Sequence, residues 1–317
     1  MKLSLLSNLT NISSTPSLPL RGTVLVVAES SIFLILNVGA FIGNLLVCLA
    51  FYRNPSLRTV VNNFIFSLAF TDLLMAVTVM PVFTVSSLFN KWIAGYLASQ
   101  IIMCCLLTAL FTSTSTVMLI AINRYFQVVR PELYGSIYSK KSSARMSVAA
   151  WVAALVLVVC RPVFGVRFEN SSLNFPFVHL SFSNGFVRIY NIVVNAFYIT
   201  VPNFVVAVCY WRVYKTIRHH NTAVAPSSRE GNSPYGVNEA RITRLLTVVV
   251  VSFYLCMFPG YFFTLLSDLN LLPSSVLKYH VSLRVFPIFT SSVINPIIYG
   301  VMNQSFRLEF VKIVRCR

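Results

Sequence analysis

Seven stretches of this chain are each long and apolar enough to cross a lipid bilayer, and that leaves few folds open. A helix needs about 20 apolar residues to traverse roughly 30 Å of hydrocarbon, where every backbone polar group must be satisfied within the helix. The stretches fall near Leu25–Tyr52, Val60–Leu88, Leu97–Val129, Ser147–Val166, Ile189–Tyr214, Ala240–Leu266 and Val276–Met302. The expected fold is therefore an all-α membrane protein. Residues 25–302 form a seven-transmembrane helix bundle, preceded by an N-terminal tail over 1–24 and followed by a short segment over 303–317. A hydrophobic content of 56% and a mean hydropathy of +0.75 place the chain outside soluble domains. No internal repeat is visible, which disfavours transporter folds built from duplicated halves.

The formal charge of +17 does not point to nucleic acid, because it arises from eight acids against twenty-five bases, and the bases fall between the apolar runs. Placing the N-terminus outside puts sixteen bases on the inner side and eight on the outer, with Arg124 the remaining one. The positive-inside rule thus expects a multi-pass plasma-membrane protein with an extracellular N-terminus. The glycosylation acceptors Asn8, Asn11 and Asn170 fall on that outer side, whereas Asn303-Gln-Ser is inside and should go unused. All seven cysteines lie in apolar runs or at the chain end, so no exterior disulfide is expected. The N-terminus has only a four-residue apolar patch, so the first span is expected to serve as its own targeting signal.

The third run ends in Ala-Ile-Asn123-Arg124-Tyr125. A guanidinium at a helix centre costs on the order of 2.5–3.5 kcal/mol by insertion scales, so Arg124 sits at a boundary or faces the bundle interior and needs a partner. Asn123 beside it is uncharged. Glu239, at the start of the sixth run, is the expected anion, closing a salt bridge between the inner ends of the third and sixth helices. Alternatively, Glu239 only complements the positive end of its own helix dipole.

Asp72 lies mid-span and must face the bundle. Asn44, Ser113, Ser291, Ser292 and Asn295 are its candidate neighbours, an oxygen-bearing set suited to a Na+ ion or to a protonated carboxyl bonded by its surroundings. Proline in Asn295-Pro296-Ile297-Ile298-Tyr299 is expected to kink the seventh helix, and Pro202 and Pro259 to interrupt the fifth and sixth. The outer segment 166–188 contains the alternating Val178–Ser183 followed by the turn dipeptide Asn184-Gly185. It reads either as a short hairpin lying as a lid or as an irregular aromatic-rich loop. Residues 217–238 read as a flexible connection. Phe306, Phe310 and Ile313 recur at helical spacing against Arg307, Glu309 and Lys312, the pattern of a short amphipathic helix in contact with membrane lipid. Cys316 just beyond it is a candidate for palmitoylation.

From Gly43 to Phe310 these residues resemble the rhodopsin-like (class A) G-protein-coupled receptors. The resemblance is carried in order by Gly43-Asn44, Leu68-Ala69-Phe70-Thr71-Asp72, Asn123-Arg124-Tyr125, Trp151, Pro202 with Tyr210, Phe258-Pro259, and Asn295-Pro296-Ile297-Ile298-Tyr299 followed by Phe306-Arg307. It implies a heterotrimeric G protein as partner, engaged by Arg124 and Tyr210 once the sixth helix swings outward, with Asn123, Tyr125, Glu239, Asn295, Pro296 and Tyr299 in the switch. It also implies a sodium pocket of Asp72, Ser113, Ser291 and Asn295. The chain departs from the family where a cysteine usually tops the third span, here Ser99, and where a tryptophan usually precedes the sixth-span proline, here Met257. Asn123 and the tail Asn303–Arg307 are shared with melatonin receptors, which usually carry alanine where Pro296 stands.

The same resemblance puts Leu106 where amine receptors carry an aspartate, and Phe289 where opsins carry the retinal lysine. Neither a biogenic amine nor retinal is then expected. The outer half is lined by Leu106, Leu110, Phe197, Tyr198, Met257, Tyr261, Phe262 and Phe289, with Arg161, His179 and Arg284 at the rim. Such a site suits a neutral or anionic extracellular ligand, small molecule or peptide. Alternatively, Arg161 and Arg284 snorkel to head groups. A seven-span channel or transporter using Asp72 and a non-signalling decoy are the rival functions. No nucleophile–base pair or metal set suggests an enzyme.

Overall fold

The computed structural model describes residues 22–163, 166–170, 178–182, 184–223, 237–269, 271 and 280–315. Asn8, Asn11 and Cys316 lie outside the described residues, as do the side chains of His179 and Glu239. Seven spans of membrane-crossing length and apolarity are present among them. They are α1 (Thr23–Arg53), α2 with α3 (Val60–Thr78 and Met80–Leu88), α4 (Tyr96–Val129), α6 (Lys140–Val163), α7 (Gly185–Ala223), α8 (Val237–Asp268) and α9 (His280–Met302). Two short helices, α5 (Pro131–Ile137) and α10 (Gln304–Val314), lie at the end of the bundle that carries Arg124.

Span edges match the apolar runs closely except where a helix outlasts its hydrophobic part. The fourth starts at Lys140, seven residues before Ser147, because Ser139 and Ser142 form a reciprocal cap. The Ser139 amide donates to Ser142 Oγ at 2.9 Å, and the Ser142 amide donates to Ser139 Oγ at 3.1 Å. The fifth continues to Ala223, past Lys215 and Arg218, polar residues that helix geometry tolerates once the chain has left hydrocarbon.

One expectation about proline is corrected: the fifth and sixth helices run uninterrupted through Pro202 and Pro259. The seventh is continuous through Pro287 and Pro296. The break occurs instead in the second span at Val79, two residues before Pro81, which has no N–H for the preceding turn and whose ring presses on it.

The third span is the hub, with a buried residue on nearly every turn from Leu106 to Val128. It packs along the fifth, while the sixth packs along the seventh. Trp151 of the fourth span reaches Ser67 of the second with its indole N–H at 3.3 Å and packs on Phe70. The first and seventh spans touch where Gly43 meets Pro296. A Cβ on Gly43 would lie 2.9 Å from the Pro296 ring carbons, which cannot swing away. Gly43→Val should therefore destabilise the bundle by about 1–3 kcal/mol, the usual range for overpacking. Thermal unfolding of the purified protein reads that loss.

The opposite end of the bundle carries a hairpin. Strands β1 (Val166–Asn170) and β2 (Val178–Phe182) pair antiparallel, with Val166 opposite Phe182, and β1 lies against the third span. The irregular-loop alternative is thereby set aside, but the turn is not at Asn184-Gly185. Asn184 caps the fifth span, its Oδ1 accepting the Val187 N–H at 3.0 Å.

In α10, Asn303 Oδ1 caps the helix start, and Phe306 is fully buried against Tyr299 with ring centroids 6.1 Å apart. Glu309, expected on the polar face, is 5% exposed. It stands three residues after Phe306 and so shares its face. The Asn54 amide at 3.3 Å and the Lys312 ammonium at 3.4 Å satisfy the carboxylate there.

Candidate functional site

Asp72 is 4% exposed at mid-bundle and accepts two hydrogen bonds from the seventh span: Ser292 Oγ at 2.7 Å on one carboxylate oxygen and Asn295 Nδ2 at 2.9 Å on the other. Asn44 of the first span donates its amide to the Ser292 carbonyl at 2.9 Å, so the first span joins this junction through the serine's backbone. The hydroxyl that reaches Asp72 belongs to Ser292 and not Ser291. Residues three apart share a helix face, as Ser292 and Asn295 do, whereas Ser291 is turned away by about 100°. Ser291 and Ser113 are buried, but no hydrogen bond joins either to Asp72. Asn44 Oδ1 and Asn295 Oδ1 are buried without a donor. A carboxyl group beside two orphaned amide oxygens is the kind of oxygen set a hard cation takes.

At the other candidate centre, Arg124 is 2% exposed. Its Nη2 donates to Asn123 Oδ1 at 3.0 Å, and Asn123 Nδ2 donates in turn to the Tyr134 hydroxyl at 3.3 Å. Tyr134 stacks on Tyr138, which packs against Phe126. The uncharged residue beside Arg124 is therefore one of its partners, through a charge-assisted hydrogen bond, and Asn123 in turn ties the third span to α5. Burial pushes the Tyr138 phenol up to about 12, with Tyr134 and Cys209 adding to the shift and the Arg124 cation opposing it. Tyr138 consequently stays neutral at physiological pH. Tyr125 is half-buried, edge-on to Phe126. Tyr210 of the fifth span is half-buried, and Tyr299 of the seventh is fully buried. Glu239 lies in the first turn of α8.

Toward the hairpin end, Leu106, Leu110 and Met257 are buried among the spans. Tyr198 and Tyr261 both turn to the third span, the first pairing its hydroxyl with Ser115 at 2.8 Å and the second with Thr114 at 3.3 Å. Phe197 and Phe262, one residue away from each, are 65% and 49% exposed and face outward, which removes them from the expected lining. Phe289 is fully buried in an aromatic cluster with Phe33 and Phe83. Arg161 does not snorkel. It is 2% exposed, donates to Asn191 Oδ1 at 3.0 Å and Asn195 Oδ1 at 2.7 Å, and lies 5.3 Å from the centre of the Phe111 ring. Arg284 is half-buried, and its carbonyl oxygen would lie 3.0 Å from a Cβ on Gly260.

The family described as 7 transmembrane receptor (rhodopsin family) matches residues 43–299. The chain belongs to that family. This receptor is 30% identical over 277 residues to melatonin receptor type 1A of Phodopus sungorus, covering 86% of this chain and 76% of that protein. It is 28% identical over 307 residues to melanopsin-A of Danio rerio, covering 90% of this chain but only 49% of that longer protein. Among solved structures, squid rhodopsin has the same fold, with a TM-score of 0.80, 23% identity, and coverage of 96% of this chain and 90% of that one.

In this receptor Ser99 is fully buried, accepts the Trp92 indole N–H at 2.6 Å and donates toward the Gly95 carbonyl at 2.9 Å. The serine thus ties the segment before the third span to that span with hydrogen bonds. The sequence reading missed Trp92, Asn191, Asn195, Ser115 and Thr114. Asn191 and Asn195 did leave a signal, since polar amides four apart in an apolar helix present one face.

Proposed function

We propose that this receptor carries an extracellular signal to a heterotrimeric G protein across the plasma membrane, with its N-terminus outside and the Arg124 end in the cytoplasm. The buried Arg124 supports this most directly. Its guanidinium lies inside the bundle and donates to Asn123, so it has to leave at least that contact to meet an external protein. A ligand at the hairpin end favours the conformation with Arg124 released, and the bundle transmits that preference as a shift in a two-state equilibrium. Arg124, Tyr125 and Tyr210 then face the G protein.

The ligand is a neutral or anionic small molecule or peptide. Leu106, Leu110, Tyr198, Met257 and Tyr261 offer apolar and hydroxyl contacts, and Arg161 supplies the buried cation of that region. No biogenic amine is expected, because none of these lining residues is a carboxylate. Retinal is not expected either. A Schiff base in the seventh span needs a lysine, His280–Met302 contains none, and Phe289 fills the corresponding space with packed aromatic rings. Asp72, Asn44 and Asn295 would hold a Na+ ion that favours the resting state.

Guanine-nucleotide exchange in membranes containing the receptor and a panel of G-protein subtypes, without ligand, tests this reading. Basal exchange should exceed that of receptor-free membranes, and Glu239→Ala should raise it further by freeing the inner end of the sixth span. Equal basal turnover in wild type and Glu239→Ala would contradict the proposed role of Glu239. Exchange with no subtype under any condition would contradict coupling altogether.

A further inference from the structure

Phe204, Val208, Trp211, Lys215 and Arg218 recur at spacings of four and three along α7 and are all exposed, whereas Val206, Cys209 and Val213 on the opposite side are buried. This stripe therefore faces outward, toward lipid, and it changes character along its length. Phe204 and Val208 are apolar, Trp211 is 57% exposed in the manner of an interfacial indole, and Lys215 and Arg218 beyond it are charged. Arg212 stands beside the stripe and is also exposed. Its guanidinium carbon lies 5.2 Å, and the Lys215 ammonium 5.8 Å, from the centre of the one Trp211 ring.

Two cations on one indole repel each other, and the ring offers each of them only its quadrupole. Among the described residues no ion pair joins either one, and α7 has no acidic residue from Gly185 to Ala223. Nor does the helix dipole account for them, because that field is confined to the last turn and they stand eleven and eight residues before Ala223. Charge complementarity calls for an anion at the depth of the head groups. We propose that this face selects an anionic phospholipid with an uncharged polyol head, its phosphodiester between Arg212 and Lys215 and an acyl chain along Trp211, Val208 and Phe204. Phosphate oxygens accept from the guanidinium and ammonium N–H groups. A choline or ethanolamine head would bring a further cation to the same place, with no carboxylate on α7 to receive it, whereas a polyol brings none. The face lies apart from Arg124 and Asp72, and the proposal depends neither on G-protein coupling nor on which compartment this end of the bundle meets.

The test uses the full-length receptor in phosphatidylcholine nanodiscs that contain a minor fraction of phosphatidylglycerol. Bromine on acyl chains quenches any indole it touches, and it is placed either on the phosphatidylglycerol or on an equal amount of the phosphatidylcholine, so that composition never changes. Subtracting the quenching of Trp211→Phe isolates Trp211 from the two other tryptophans, Trp92 and Trp151. Phosphatidylglycerol should quench Trp211 as though enriched about five- to thirtyfold over its share of the bilayer, the equivalent of one to two cations at about 1 kcal/mol each. Arg212→Gln combined with Lys215→Gln should abolish that preference. Lys140→Gln combined with Lys141→Gln, which removes as much charge from exposed positions at the same end of the bundle, should leave it in place. Brominated phosphatidylserine, of the same net charge but carrying an ammonium, should be enriched less. Equal quenching by phosphatidylglycerol and phosphatidylcholine, an unchanged preference without Arg212 and Lys215, a preference lost equally without Lys140 and Lys141, or equal enrichment of phosphatidylserine would overturn the proposal.

Discussion

Replacing Asp72 with alanine should lower the stability of this receptor by about 2–6 kcal/mol, because it strands the Ser292 hydroxyl and the Asn295 amide at 1–3 kcal/mol each. Both groups are buried, and both donate to that one carboxylate at 2.7 and 2.9 Å. Ser291→Ala, one residue from the bonded serine, should cost far less, since no hydrogen bond joins it to Asp72. Asp72→Asn keeps shape and an acceptor and should fall between the two. It separates packing from ion binding. Anything that binds only the folded state raises apparent stability with concentration, so NaCl should stabilise the wild type more than matched choline chloride does. Asp72→Asn should lose that difference. Thermal unfolding of the purified receptor reads all of these, and an Asp72→Ala loss no larger than that of Ser291→Ala would contradict the three-span junction.

Arg124→Ala should reduce G-protein nucleotide exchange about ten- to a hundredfold per receptor at the cell surface. A hydrogen bond involving a charged group is worth about 1.5–3 kcal/mol, and 1.4 kcal/mol corresponds to tenfold in an equilibrium constant. The cation is buried, 2% exposed, with Asn123 as one partner, so in the proposed function it meets the G protein only when the bundle opens. Asn123→Ala should act in the opposite direction. It removes one contact that holds Arg124 and the third span's bond to Tyr134, and so should raise basal exchange. Unchanged exchange in Arg124→Ala would show that the cation is only a structural element.

The spans were legible because hydrocarbon imposes length and apolarity, and both survive in any reading of Leu25–Tyr52 or Val60–Leu88. Rotation about each helix axis was far less legible. In a soluble bundle the outer face is polar and marks the core face by contrast, but here the face toward lipid is as apolar as the face toward protein. Phe197 and Tyr198 therefore look alike in sequence, although one points outward and the other bonds to Ser115. The same ambiguity left Ser291 and Ser292 both as candidates beside Asp72. Polar residues broke it where they occurred singly in an apolar run, as with Asp72 and Arg124. The burial of Arg161 and Glu309 was hidden for a different reason. A charge enters the interior only when distant groups receive it, and Asn191, Asn195 and Asn54 come from other parts of the chain.

The central claim is that the sixth span moves away from the third at the Arg124 end when a G protein binds. Spin labels at two exposed positions, Lys140 on the fourth span beside the third and Arg244 on the sixth, report that distance by pulsed electron resonance. Adding nucleotide-free G protein should lengthen it, and Arg124→Ala should prevent the change. A G protein that binds and exchanges nucleotide while the distance stays fixed would contradict the account.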